Sequence, residues 1–190
     1  MKNPQKLAKA MKMGRVYRRQ DLLGQTTALD RDLKSLVSKG LVKKLSGGLY
    51  YRPRKSPYGT PPPPNEALVK AFLKTDDFLL TSYDYFTQLG LGLTQVYNHH
   101  LVYNHKRSGD FLLGGKRFKF RVVPAFPTSL TKEYLLVDML NNLTKLPDNS
   151  EFVERNLKTS LREYDQKRLH ECLAHYGRPM ARKILAQAYA

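Results

Sequence analysis

The chain has 190 residues, 41% of them hydrophobic, with 33 Lys and Arg against 16 Asp and Glu and a formal net charge of +17. That apolar content is ordinary for globular domains and excludes wholesale disorder, no run approaches the ~18 apolar residues of a membrane span, and the lone Cys172 excludes an internal disulfide and fits a reducing, cytoplasmic setting. The charge surplus points to a polyanionic or acidic partner and is uneven: residues 1–58 carry 15 basic residues against three acidic ones, residues 59–190 carry 18 against 13.

The first lysines precede no apolar stretch, so no signal peptide is expected. Asn3 and Pro4 read as a cap and first residue of a helix, carried on by Leu7, Ala8 and Met11 and stopped at Gly14. Val16 and Tyr17 suggest a short strand, and Arg18 to Leu23 a short helix closed by Gly24. Thr26 or Thr27 is expected to cap a second helix with Leu29, Leu33, Leu36 and Val37 inward and Gly40 at its end. The period then changes to two: Leu41 to Leu45 and Leu49 to Arg52 flank Ser46-Gly47-Gly48, a hairpin with glycines where the turn needs positive φ.

This order predicts a winged helix-turn-helix. In such a unit the second helix enters the major groove, leaving Arg31, Lys34 and Ser35 outward and Thr26 and Thr27 at the helix start. Arg31 has the fork geometry to read guanine. Arg18 and Arg19, and the wing residues Lys43, Lys44, Ser46 and Arg52, are expected on phosphates, which position a protein without selecting sequence. The alternative is a winged helix that docks protein and no DNA.

Pro53, Pro57 and Pro61 to Pro64 read as a stiff polyproline linker, an SH3-ligand use being less expected. The domains are thus residues 1–56, linker 57–65 and an α+β domain 66–190, for an overall α+β class: an N-terminal winged helix-turn-helix, then a mixed α/β domain with a helical C-terminus. Helices are expected over about 65–74 and 82–89, strands over 96–104, 111–113 and 116–123, and helices over 134–143, 150–161, 164–176 and 179–189, with Thr131 as a cap. Arg117, Lys119 and Arg121 load one face of a strand whose other face holds Phe118 and Phe120, read either as an edge strand guarded by charge or as a second contact surface for DNA, RNA or an acidic partner. Arg178, Arg182 and Lys183 are similarly open between a solvated face and a contact.

Two sets of residues carry a family likeness. The first is Leu33-x-x-Leu36-x-x-x-Gly40-Leu41-Val42 running into Gly48-Leu49-Tyr50. The second comprises Leu89-Gly90-Leu91, Gln95-Val96, Leu101-Val102-Tyr103, the basic strand Lys116-Arg117-Phe118-Lys119-Phe120, Tyr176-Gly177-Arg178-Pro179 and Arg182-x-x-Leu185. With these the chain resembles the AbiEi family of antitoxins from bacterial abortive-infection toxin–antitoxin systems. The resemblance implies an N-terminal winged helix that binds inverted repeats at its own operon and represses it, and a C-terminal domain that opposes a nucleotidyltransferase-like toxin without a stable complex. A stand-alone repressor is the alternative, since the chain has no long C-terminal extension.

No catalytic set, metal site or cofactor is expected. His99, His100 and His105 surround one strand, but packing explains them more simply than three convergent ligands. His170 and His175 lie five apart rather than the four of a zinc-binding helix pair, and Gly114-Gly115-Lys116 lacks phosphate-loop spacing. Asp76, Asp77 and Asp84 form no evident carboxylate pair; a nuclease, the enzyme alternative, would need one. Cys172 sits among Leu169, Leu173 and Tyr176 at helical spacing and is expected to pack rather than react.

Overall fold

The structure, a computed structural model, describes residues 3–54, 56–57, 59–147 and 150–190. It is a mixed α and β fold divided into two compact units. The first unit is Met1–Asp77 with Asp110–Phe118; the second is Phe78–Gly109 with Lys119–Ala190. This departs from the linear division at residue 66, because the segment after the prolines and a distant hairpin both pack with the N-terminal elements.

In the first unit α1 (Asn3–Ala10) leads to β1 (Arg15–Arg18), a 3-10 turn (Arg19–Leu22), α2 (Leu29–Ser38), and the hairpin β2 (Lys43–Ser46) and β3 (Leu49–Arg52). The capping role read for Asn3 falls on a side chain outside the described residues. The strands form an antiparallel sheet of order β1-β3-β2, with Tyr17 opposite Tyr50 and Lys44 opposite Tyr50. Leu7, Met11, Leu22, Leu29, Leu33, Leu36 and Val42 make its core, with Tyr17 and Tyr50 packed against it. Gly40 ends α2 as expected: at φ +67° its N–H bonds Val37 O while Leu41 N–H reaches Leu36 O, the paired closure that a left-handed residue permits.

The start of α2 differs from expectation. Its cap residue is Ala28, with no side-chain cap; Thr26 instead donates its hydroxyl to the buried carboxylate of Asp32 in the first turn, and Thr27 is exposed. The proline run leads into α3 (Asn65–Leu73), and the Tyr51 hydroxyl donates to Pro61 O at 3.0 Å, so the supposed linker is tied to the sheet. The hairpin 110–118 joins this unit through Gly114 N–H to Leu45 O (3.0 Å), Lys116 Nζ to Asn65 Oδ1 (2.7 Å) and Phe111 tilted on Phe72.

The second unit begins with a strand that alternation does not reveal, β4 (Phe78–Thr81), paired antiparallel to β5 (His100–Asn104). The strand expected over 96–104 is therefore only its second half; residues 91–99 are irregular, with Val96 exposed. The helix expected over 82–89 is a 3-10 segment, Tyr83–Leu89, capped by Ser82. β6 (Gly109–Leu113), almost all of it in the first unit, and β7 (Lys116–Val122), divided between the two, flank Gly114-Gly115, both at positive φ. The strand order β4-β5-β7-β6 makes β7 an internal strand, which overturns the edge-strand reading of its charges.

Four helices complete the unit: α4 (Lys132–Asn142), α5 (Ser150–Ser160), α6 (Gln166–Tyr176) and α7 (Pro179–Tyr189). Thr131 caps α4 through its hydroxyl, which accepts Tyr134 N–H at 3.1 Å. α4 is buried almost all round, its polar Glu133, Asp138 and Asn142 included, with Leu136, Val137, Met139 and Leu140 fully enclosed. Cys172 packs half-buried against this core, and burial pushes its thiol pKa up, the opposite of an activated nucleophile. No helix among the described residues is long and apolar enough to cross a membrane.

Candidate nucleic-acid interface

The surface of interest is built on α2. Leu29, Asp32, Leu33 and Leu36 are buried, which fixes the roll of the helix and turns Asp30, Arg31, Lys34 and Ser38 to solvent. The Arg31 side chain is 76% exposed, its nearest acidic atom Asp32 Oδ1 at 3.8 Å, so the guanidinium is extended and its fork is open. Lys34 lies one turn further on, exposed; Ser35 is half-buried.

The residues read as phosphate contacts divide into three groups. Arg18 and Arg19 are present on the surface but already engaged. Arg18 bonds Asp21 through its side chain and its backbone N–H, and Arg19 Nε and Nη2 each bond the Asp30 carboxylate at 2.7 Å. These hydrogen bonds hold both carboxyls below the usual carboxylate range. Such pairs are exposed and worth little in isolation, so a phosphate can displace either carboxylate. Lys43 and Lys44 are exposed on β2, but they alternate in direction. Register puts Lys44 beside Tyr50 and Tyr17, the face that packs on α1 and α2, and Lys43 beside Tyr51 on the other face.

The last group is taken out of the surface. Ser46 Oγ is buried and has no hydrogen-bond partner among the described residues, so it is not a phosphate ligand. Arg52 donates to the carbonyls of Ala8 and Met11, capping the end of α1; β3 lies beside β1, and that places its last side chain under the helix rather than on the open side of the hairpin. A cation there meets unsatisfied carbonyls at the negative end of the helix dipole. Thr26 is likewise committed to Asp32.

The second basic group lies along β7, on the face opposite Phe118 and Phe120. Arg117 is exposed in the first unit, while Lys119 and Arg121 are half-buried in the second. Phe118 and Phe120 are buried opposite them, as alternation requires. Lys119 and Arg121 share their surroundings with Lys145 and Arg178, two cations that sequence spacing does not connect to them. A separate cavity of about 540 Å³ in the first unit is lined by Arg15, Arg18, Asp21, Lys70, Lys74 and Asp76. Arg18–Asp21 and Lys70–Asp76 pairs cross-neutralise much of its lining.

No protein-family model matches the sequence, and no curated protein matches it. The chain is similar in structure to the RV2827C protein from Mycobacterium tuberculosis: 17% of aligned residues are identical, the TM-score is 0.54, and the likeness covers 97% of this chain and 75% of that one. At that identity the likeness is one of fold.

Proposed function

We propose that α1 to β3 form a winged helix-turn-helix that binds duplex DNA, and that the protein is a transcriptional repressor and antitoxin acting on operator repeats. The observation that carries the reading is the outward side of α2, where Arg31 and Lys34 project from a helix rolled into place by Leu29, Leu33 and Leu36. The element order and the β1-β3-β2 sheet support it, since they provide a helix for the groove and a hairpin beside it. The +12 surplus of residues 1–58 supplies attraction to phosphates.

In this reading Arg31 reads a base edge and Lys34 lies near it or its phosphate. Arg18 and Arg19 exchange their carboxylates for phosphates as DNA arrives. Lys44, on the helix side of the sheet, is the principal wing contact. The second unit serves the antitoxin role that the AbiEi resemblance implies, opposing a nucleotidyltransferase-like toxin. No nuclease chemistry is proposed.

Gel-shift titration on the DNA upstream of the protein's own gene tests the docking. Arg31→Ala should cost roughly 1–3 kcal/mol of discrimination at one base pair. Lys44→Ala should weaken operator and scrambled duplex alike. Affinity and selectivity unchanged in both variants would refute the assignment of α2 and the hairpin.

A further inference from the structure

The second unit holds a buried carboxylate with half its hydrogen-bonding capacity unused. Asp138, on α4, is 4% exposed. Its Oδ1 accepts from the Tyr103 hydroxyl at 2.7 Å and from Asn142 Nδ2 at 3.0 Å; Oδ2 is buried and has no partner among the described residues. An enclosed carboxylate oxygen left unmatched is costly, and proteins keep such a cost mainly where something else supplies the missing donor.

Asp138 lines a cavity of about 110 Å³. That is several times the space one water needs, and well below the space of a drug-sized ligand, so it suits a single small ring. Tyr103, Tyr134 and Tyr176 contribute aromatic walls, with Tyr134 and Tyr176 edge to face at 5.2 Å. Arg178 closes one side, held in place where its backbone N–H donates to Asn141 Oδ1 at 2.7 Å while Asn141 Nδ2 donates to Tyr176 O. Three further cations, Lys119, Arg121 and Lys145, stand in the same field: Lys145 Nζ donates to Asn142 Oδ1 at 3.1 Å, and burial first, then Arg178, Arg121 and Lys119, push its pKa down against Asp138.

A donor-seeking carboxylate at the base of an aromatic slot, with a group of cations by it, fits a ligand carrying an N–H edge on a flat ring and a phosphate outside. We propose that this cavity binds an amino-bearing pyrimidine nucleotide, with the exocyclic amine donating to Asp138 Oδ2, the ring against the tyrosine wall and the phosphate on Arg178 and its neighbouring cations. Carboxylates take this role toward the cytosine amine elsewhere in nucleic-acid recognition. The same chemistry is offered by a free nucleotide or by one residue of a single strand. The site is independent of the DNA-binding surface on α2.

Calorimetric titration of the full chain with CMP, UMP and cytidine tests it, with tetracytidylate and tetrauridylate as the strand arm. CMP should bind, UMP at least about tenfold more weakly because its carbonyl faces the carboxylate, and cytidine more weakly for want of phosphate. Asp138→Asn keeps an acceptor for Tyr103 and presents an amide donor to the cavity, so preference should swing to UMP. Arg178→Ala, an exposed change, should weaken CMP and UMP together and leave their ratio intact. Tighter binding of tetracytidylate than CMP identifies a strand as the source and the reverse a free nucleotide; both support the site. No binding of CMP or tetracytidylate at millimolar concentration, or equal binding of CMP and UMP to the wild-type chain, would overturn it even if the Asp138 variant fails to fold.

Discussion

Two charged side chains do structural work in opposite senses. Arg52 completes α1 by donating to Ala8 O and Met11 O, so Arg52→Ala should lower stability by about 1–2 kcal/mol, read as a fall in Tm, while leaving the salt dependence of DNA binding unchanged. Asp138 is a cost to the fold: burial raises its pKa to about 6, against bonds from Tyr103 and Asn142 and the field of Arg178 that lower it. Since the folded state binds the proton more tightly than the unfolded chain, whose carboxyl sits near 3.8, stability falls as pH rises from about 4 to about 6 and the full cost stands above that. Asp138→Asn should therefore be more stable than the wild type at pH 8, by on the order of 2–3 kcal/mol at most, and the difference should vanish near pH 3.5 in paired chemical denaturation curves. An unchanged difference across that range would remove Asp138 as the titrating group. Neither role was legible in the sequence. Arg52 read as a wing cation because the alternation of β3 does not say which strand lies beside it, and Asp138 read as one more polar residue of a helix.

At the scale of elements, local signals carried far where the partner was near in sequence. The Gly40 closure of α2, the Thr131 cap of α4 and the glycine-tipped hairpin formed as their residues require. Signals failed where a distant element decided the outcome: β4 exists because β5 pairs with it, and β7 is an internal strand because β5 and β6 take its two edges. The helix starts one or two residues later than its threonines suggest, because Thr26 spends its hydroxyl on Asp32 instead of capping. The outward face of α2 was legible, being set by its own leucines. Its neighbour Arg19 was legible only as a cation, and its partner Asp30 restrains it. Asp30→Asn should release Arg19 and remove a negative charge from the same face, so operator affinity should rise and the slope of log K against log salt should steepen by about one contact. An affinity that falls would place Arg19 away from the duplex.

For the whole molecule, charge distribution was readable from composition and the division into units was not. The proline run marks no boundary of packing: α3 and the hairpin 110–118 belong with the N-terminal elements. The surplus of residues 1–58 is what gives the proposed function its reach, because counterion release scales with the phosphates neutralised. The most direct test is the salt dependence of binding to the duplex upstream of the protein's gene, measured for the wild type and for an Arg31→Ala, Lys34→Ala, Lys44→Ala triple variant. The account predicts a steep loss of wild-type affinity with rising salt and a slope shallower by about two to three in the variant. Identical slopes for the two proteins, or no duplex binding at low salt, would contradict it.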